Sequence, residues 1–386
     1  MKQTLFLFGR TPDLSYLELA SIFPAARRIS PEAAVLDDRM DFVTILAVLG
    51  GTVKVAEVVG TTVALTESTL LPYALRECKD RHITFGISGY GGIRVPIGVT
   101  PSLKKALTDR GITARFVLTK HDDSLSSVVV AKQHVTEFIV LQTGNDIMLG
   151  VTRAVQNFED WNKRDFGRPA PDPKHGMLPP KVARMIVNIA LPFVIPGEGM
   201  TKTKTLLDPF CGVGTIVAEA LLRGANVIGA DISPDAVDNT KKNLAWLRHE
   251  YPIISRLYST VFVADATHIR DKLTSESVDA IVTEPYMGEL IDDKKRTRLT
   301  PDRVKNTLKG LEKLYIGSLR EWATLVKPGG RVVMALPAYV TPRGIMRVKN
   351  VIDRCEILGY TLLTGPIEYS RPQAIVRREF FVFEKK

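Results

Sequence analysis

The stretch from Leu206 to Asp231, LLDPFCGVGTIVAEALLRGANVIGAD, decides the fold of this 386-residue chain. A short apolar run ends at Asp208. The chain then turns through Gly212 and Gly214, enters a helical run closed by Gly224, and returns to an apolar run ending in Asp231. Strand, glycine turn, helix and strand together make a parallel βαβ unit. The two glycines allow a tight bend and a close approach of backbone to ligand. In open parallel sheets ligands bind beyond the carboxyl ends of the strands, where strand order reverses, and an acid at the second strand end accepts from ribose hydroxyls. That is the role expected of Asp231.

The regular alternation continues downstream. Residues 259–265 and 278–284 read as strands, 233–249 as a helix, and 302–326 as a long helix stopped by Pro328-Gly329-Gly330. Residues 331–337 read as a strand and 344–359 (GIMRVKNVIDRCEILG) as a helix. The last two strands, 360–366 and 378–385, follow without a helix between them, which predicts an antiparallel hairpin at one edge. The expectation is an α/β domain with a doubly wound, mostly parallel sheet.

Upstream the pattern is irregular and α+β. Strands are expected at 2–9, 42–50 (FVTILAVLG), 82–91, 114–120 and 137–144. Helices are expected at 13–23 and at 100–111, with Thr100 as N-cap and Gly111 at the stop. Residues 157–180, rich in Pro, Gly and charge, read as a linker or functional loop. A helix follows with Pro179 and Pro180 in its first turn.

Composition narrows the class. The chain is 45% hydrophobic and 24% charged, as a folded globular protein is. Cys78, Cys211 and Cys355 form no disulfide framework or CxxC pair, and the six histidines show no metal spacing. Together with a start too short in apolar residues for a signal peptide, this predicts a reducing, cytoplasmic setting. No stretch is long enough to span a bilayer; residues 185–197 are interrupted by Asn188 and Pro192. The net charge of +10 favours a polyanionic partner. Residues 1–150 are nearly neutral, so the excess lies in the second half, beginning with DDKKRTRLTPDRVK at 292–305.

The glycine turn discriminates between cofactors. A nicotinamide fingerprint needs G-x-G-x-x-G, but Thr215-Ile216-Val217 follow Gly214 and the third glycine is missing. Asp208 puts a carboxylate at the turn, which repels a pyrophosphate and suits the ammonium and sulfonium of S-adenosylmethionine. A third strand ends in VADAT, where Asp265 is placed to accept from an adenine amino group. The cysteine of the turn, Cys211, lacks a paired histidine and reads as a small buried residue rather than a nucleophile.

DPFCGVGTIVAEA resembles the first motif of class I methyltransferases that modify RNA guanine on its exocyclic amine. RDFGRPAPDPKHGMLPPKVARMIVNIA, 164–190, is similar to a segment of THUMP-containing tRNA guanine-N2-methyltransferases, the group that modifies guanine at tRNA position 10. IEYSRPQAIVRREFFVFEK, 367–385, matches that group's C-terminal hairpin. LFLFGRTPDLSYLELASIF, 5–23, resembles its ferredoxin-like start, and 86–117 resembles its THUMP module weakly. The resemblance implies four parts: a ferredoxin-like region 1–55, a THUMP-like RNA-binding module 56–155, a linker closing the cofactor site 156–180, and a Rossmann-like methyltransferase domain 181–386. It implies S-adenosylmethionine held by Met177, Pro179, Asp208, Phe210, Gly212, Gly214, Thr215, Asp231, Ile232, Asp265 and Ala266. It also implies tRNA or another structured RNA as partner, and it allows an activating protein partner.

The family's catalytic loop reads Asp/Asn-Pro-Pro-Tyr/Phe; here it is Thr283-Glu284-Pro285-Tyr286, within DAIVTEPYMG at 279–288. If Tyr286 matches the family's aromatic, Thr283 falls at the acceptor position. If the strand is aligned to its tip without a gap, Glu284 is the acceptor, which is the preferred reading, and Tyr286 stacks on an extruded base. Lys294, Lys295, Arg296, Arg298, Arg303 and Lys305 follow closely and are expected to hold phosphates, with Lys104 and Lys105 as further RNA contacts. Arg164, Asp165, Arg168 and His175 in the linker are open between docking, cofactor closure and RNA contact. The competing expectations are another RNA or DNA amino-group methyltransferase, or a catalytically inactive RNA-binding subunit.

Overall fold

The structure, a computed structural model, describes residues 3–38, 40–119, 123–171, 177–192, 203–289, 300–371 and 373–386. It divides into two compact units, Met1–Asp160 and Trp161–Lys386.

The first unit is built on strands β1 (Thr4–Phe8), β2 (Arg27–Ser30), β3 (Ala33–Leu36), β4 (Thr52–Thr62), β5 (His82–Tyr90), β6 (Thr113–Phe116), β7 (Thr136–Thr143) and β8 (Asp146–Val155). They form one sheet in the order β2-β3-β1-β4-β8-β7-β5-β6. The expected boundary at 55/56 therefore falls inside β4, where Val55 pairs with Phe6 of β1 on one side and Ala154 of β8 on the other. Helices α1 (Pro12–Ile22), α3 (Glu67–Glu77), α4 (Val99–Thr108) and α5 (Ser127–Lys132) lie between the strands in sequence.

Two local expectations are corrected. Residues 42–48 form helix α2 (Phe42–Val48), not a strand. The Asp41 side chain accepts from the Val43 N–H at 3.2 Å and from the Thr44 hydroxyl, so a cap overrides the β-forming composition. In α4 the N-cap is Gly98, and Thr100 is buried inside the first turn with no capping bond.

The second unit has strands β9 (Thr205–Asp208), β10 (Asn226–Asp231), β11 (Ser259–Val263), β12 (Val278–Thr283), β13 (Val326–Thr341), β14 (Gly344–Arg347), β15 (Tyr360–Tyr369) and β16 (Val376–Lys385). The sheet order is β11-β10-β9-β12-β13-β16-β15, with β14 paired to β13. The first five strands run parallel, and β16 is antiparallel to both β13 and β15. The doubly wound sheet with an antiparallel hairpin edge is thus as the sequence predicts.

Helices α7 (Pro180–Ala190), α8 (Thr215–Leu222), α9 (Pro234–Glu250) and α10 (Pro301–Leu325) accompany these strands. On one face Tyr315, Leu319 and Trp322 of α10 pack on Leu207, Ile228, Ile281 and Met334. On the other, Val217 of α8 packs close over Gly229 of β10. The helix expected at 344–359 shortens to α11 (Lys349–Asp353), because Gly344 (φ +115°) turns the chain back and β14 pairs with the end of β13. Among the described residues no helix is long and apolar enough to cross a membrane.

The expected linker also folds in part, as α6 (Phe158–Phe166). Its order comes from tertiary contacts rather than from periodicity. Arg164 lies 3.8 Å from the Trp161 ring centroid and donates to both carboxylate oxygens of Glu219 on α8 at 2.6 Å. Arg184 of α7 donates to the same carboxylate at 2.9 Å, and all three side chains are nearly inaccessible. One buried anion therefore ties α6 and α7 to the helix that begins at the glycine turn. Glu219→Ala leaves two buried cations without it and is expected to destabilise the second unit by about 3–5 kcal/mol. A urea titration reads this as a lower midpoint; an unchanged midpoint would show that the network contributes no net stability.

Candidate active site

The strand order reverses between β9 and β12. Chain flow from β9 goes outward through β10 to β11, then returns to the other side of β9 at β12. The carboxyl-terminal tips of these strands open on a cavity of about 940 Å³ within the second unit, in the range that takes a cofactor-sized ligand.

Asp208 ends β9. It is 1% exposed, and its Oδ1 accepts from the Phe210 N–H at 3.2 Å and from the Thr283 hydroxyl at 2.7 Å. Burial pushes its carboxyl up to about 7, and the nearby Asp231 and Glu284 push the same way. Asp231 ends β10 and accepts from the Gly212 N–H at 3.0 Å and the Ser233 N–H at 2.9 Å, which orients it at the cavity wall. Asp265 follows β11. Its Oδ1 accepts from the N–H and hydroxyl of Thr267, which hold the carboxyl below its ordinary range.

The turn between β9 and α8 needs both its glycines, for different reasons. Gly212 (φ +53°) lines the cavity and gives its N–H to Asp231. Gly214 (φ +85°) is the N-cap of α8; a Cβ there would lie 2.8 Å from Thr240 of α9. Thr240 in turn donates to the Gly212 carbonyl at 2.7 Å. Gly214 thus shapes the turn from behind rather than lining the cavity. Phe210, Thr215, Ile232, Ala266, Met177 and Pro179 all line it. Cys211 lines it too, but burial pushes its thiol far up, so it has no nucleophile's character.

Glu284, Pro285 and Tyr286 line the same cavity at the tip of β12. Thr283 does not: it is fully buried and spends its hydroxyl on Asp208. Of the two candidate positions, Glu284 opens on the cavity and Thr283 does not. The Tyr286 ring is 56% exposed, while its carbonyl accepts from Tyr315 of α10 at 2.6 Å. The Met287 carbonyl accepts from Tyr339 of β13 at 2.6 Å. Gly288 (φ +97°) permits that approach, since a Cβ there would meet the Tyr339 oxygen at 2.2 Å. Two buried tyrosines thus pin the backbone that presents Glu284 and Tyr286.

Sequence reasoning missed these tyrosine anchors, and it missed the hairpin wall. Tyr369, Ser370, Arg371 and Arg378 line the cavity, and Arg378 Nε donates to Glu284 Oε1 at 2.5 Å. The available signal was the arginine pair in the hairpin sequence at Arg377-Arg378, but nothing local marks which of the two faces the cavity. Arg168 donates to Thr215 at 2.7 Å, so linker and turn are joined there. Among the basic residues, Arg303 is exposed at the start of α10, and Lys104 and Lys105 are exposed on α4 of the first unit. Lys105 is paired with Asp109 at 2.9 Å. Lys294, Lys295, Arg296, Arg298 and His175 lie outside the described residues.

The cavity fits a cationic nucleoside. It is lined by carboxylates at the end of β10 and just after β11, the exposed Ile232, and a buried carboxylate at the turn, with Glu284 beyond. Such a set of acids disfavours a pyrophosphate.

Residues 168–358 match the family model for the UPF0020, RMKL-like, methyltransferase domain. A tRNA (guanine(10)-N2)-dimethyltransferase of Pyrococcus abyssi is 28% identical over 225 residues, covering 58% of this chain and 53% of that protein. The enzyme of that name from Methanothermobacter thermautotrophicus is 34% identical over 181 residues, 46% of this chain and 42% of that one. The chain thus spans about half the length of these curated relatives. Among solved structures, TrmN from Thermus thermophilus matches over 100% of both chains with a TM-score of 0.56 and 19% identity, which is a likeness of fold. The methyltransferase match implies S-adenosylmethionine as the cofactor, in keeping with the acids described above. Residues 168–358 are thus similar to a UPF0020, RMKL-like methyltransferase domain.

Proposed function

We propose that this chain transfers a methyl group from S-adenosylmethionine to the exocyclic N2 of a guanine in tRNA. The observation that carries this reading is the tip of β12: Glu284 and Tyr286 open on the same cavity as Asp208, Asp231 and Asp265. The curated relatives named as tRNA guanine-N2 enzymes support the choice of substrate.

When bound, S-adenosylmethionine would supply an electrophilic methyl: the N2 lone pair would form the new bond, the pair of the broken S–C bond would stay on sulfur, and N2 would give up one proton. Guanine N2 is a poor nucleophile because its lone pair is delocalised into the ring. Glu284 accepts a hydrogen bond from the amine and takes the departing proton. Tyr286 stacks on the extruded base. Alignment of the two reacting atoms supplies several kcal/mol of the barrier. Asp208, a carboxylate at the turn, would favour the cofactor's positive charge. Arg303 and the basic residues Lys294, Lys295, Arg296 and Arg298 hold phosphates of the RNA, and the first unit, with Lys104 and Lys105, contributes RNA binding.

Incubation of tRNA with methyl-labelled cofactor, followed by nucleoside mass spectrometry, is expected to show N2-methylguanosine; absence of label from any RNA contradicts an enzyme and favours a binding subunit. Glu284→Ala is expected to lower kcat by about a hundredfold or more with cofactor affinity nearly unchanged. Undiminished turnover would remove Glu284 from its role.

Asp208 gives a pH dependence. Its carboxyl is held up to about 7 in the free site, so below that pH it is protonated and attracts a cation less. Affinity for S-adenosylmethionine should therefore fall as pH drops through about 7, by up to about tenfold per pH unit. Calorimetric titration at several pH values measures this. Asp208→Asn should bind more weakly, with a flatter profile; a wild-type affinity constant across this range would contradict the assignment.

A further inference from the structure

The Glu284 carboxylate does not stand alone in the cavity. Arg378, on β16, reaches it across the sheet from a position opposite Pro337 of β13 and Tyr369 of β15. Its Nε donates to Glu284 Oε1 at 2.5 Å, and both side chains are largely shielded, at 24% and 19% exposure. Among the described residues, Oε2 of Glu284 carries no hydrogen bond. A charge-assisted bond between shielded partners fixes a side chain far better than a surface pair does. A glutamate has a long, mobile arm, and a fixed partner on a neighbouring strand removes most of that freedom.

We propose that Arg378 is the positioning residue for the acceptor carboxylate: it clamps Glu284 through Oε1 and leaves Oε2 for the amine of the substrate base. This rests on the reading of Glu284 as the acceptor. Arg378 acts through Glu284.

The charges around Glu284 give the clamp a second effect. Asp208 faces it from β9, Tyr315 from α10, Tyr369 from β15 with Arg371 just beyond, and Arg378 from β16. Burial pushes the Glu284 carboxyl up, and Arg378 is the charge that opposes this. Without Arg378, Glu284 holds its proton to higher pH and is less available as an acceptor near neutrality. In the opposite sense, no other cation among these groups contacts Glu284 directly.

The test compares wild type with Arg378→Met, which keeps the length of the stem but not the charge, and with Arg378→Lys. Carbon NMR of glutamate-labelled protein follows the Glu284 carboxyl, assigned by its disappearance in Glu284→Gln. In Arg378→Met its titration midpoint is expected to rise, and in Arg378→Lys to return toward wild type. In parallel, kcat of Arg378→Met should lose roughly tenfold more than wild type between about pH 8 and pH 6, with the KM for cofactor unchanged. An unshifted Glu284 midpoint in Arg378→Met overturns the proposal. So does a wild-type pH profile in that variant when Glu284→Ala is inactive, and the enzyme reading then stands. A wild type that methylates no RNA fails the enzyme reading, while the NMR comparison still decides the clamp.

Discussion

The hydroxyl of Thr283 donates to the buried carboxylate of Asp208 at 2.7 Å, across the point where strand order reverses. This one bond joins β9, which carries the cofactor turn, to β12, which carries the acceptor loop. A buried carboxylate is tolerated only when its oxygens are hydrogen-bonded, and here the partner comes from the strand that must be held in register. The four strand tips therefore form one cavity rather than two. Asp208, Asp231 and Asp265 line that cavity, and Glu284 lines it with them.

Around that bond the second unit is braced from three directions. Glu219 collects two arginines from α6 and α7 beneath the start of α8. Thr240 closes the glycine turn from α9. Tyr315 and Tyr339 carry the two carbonyls that follow Pro285. Each brace uses a buried polar group whose partner is backbone or an opposite charge, so each fixes a geometry as well as filling space.

Much of this was legible in the sequence, and the physical reason is local. The turn glycines, strand-end acids and helix stops are governed by neighbours in the chain, so LLDPFCGVG and VADAT mark the strand ends and the turn that open on the cavity. The same holds for the edge hairpin, which needs no crossover helix. What was not legible depends on contacts distant in sequence. The helix at 42–48 has a strand's composition and is decided by the Asp41 cap. The helix at 158–166 lacks a useful period and is ordered by Glu219. The sheet that runs through β4 unites regions that the resemblance separated at residue 55. The gapless alignment prefers Glu284 over Thr283 as acceptor, but that Thr283 is fully buried against Asp208 depends on a contact 75 residues away. Arg378 is 94 residues from its partner and has an adjacent arginine of the same kind.

The central claim is that Glu284 and the cofactor acids converge on the exocyclic amine of a guanine. The most direct test replaces the accepting guanosine of a methylated tRNA by inosine, which lacks only that amine, and measures methyl incorporation at the position. The account predicts that incorporation there is abolished while cofactor binding persists. Methylation of the inosine-containing RNA at the guanosine rate would contradict it.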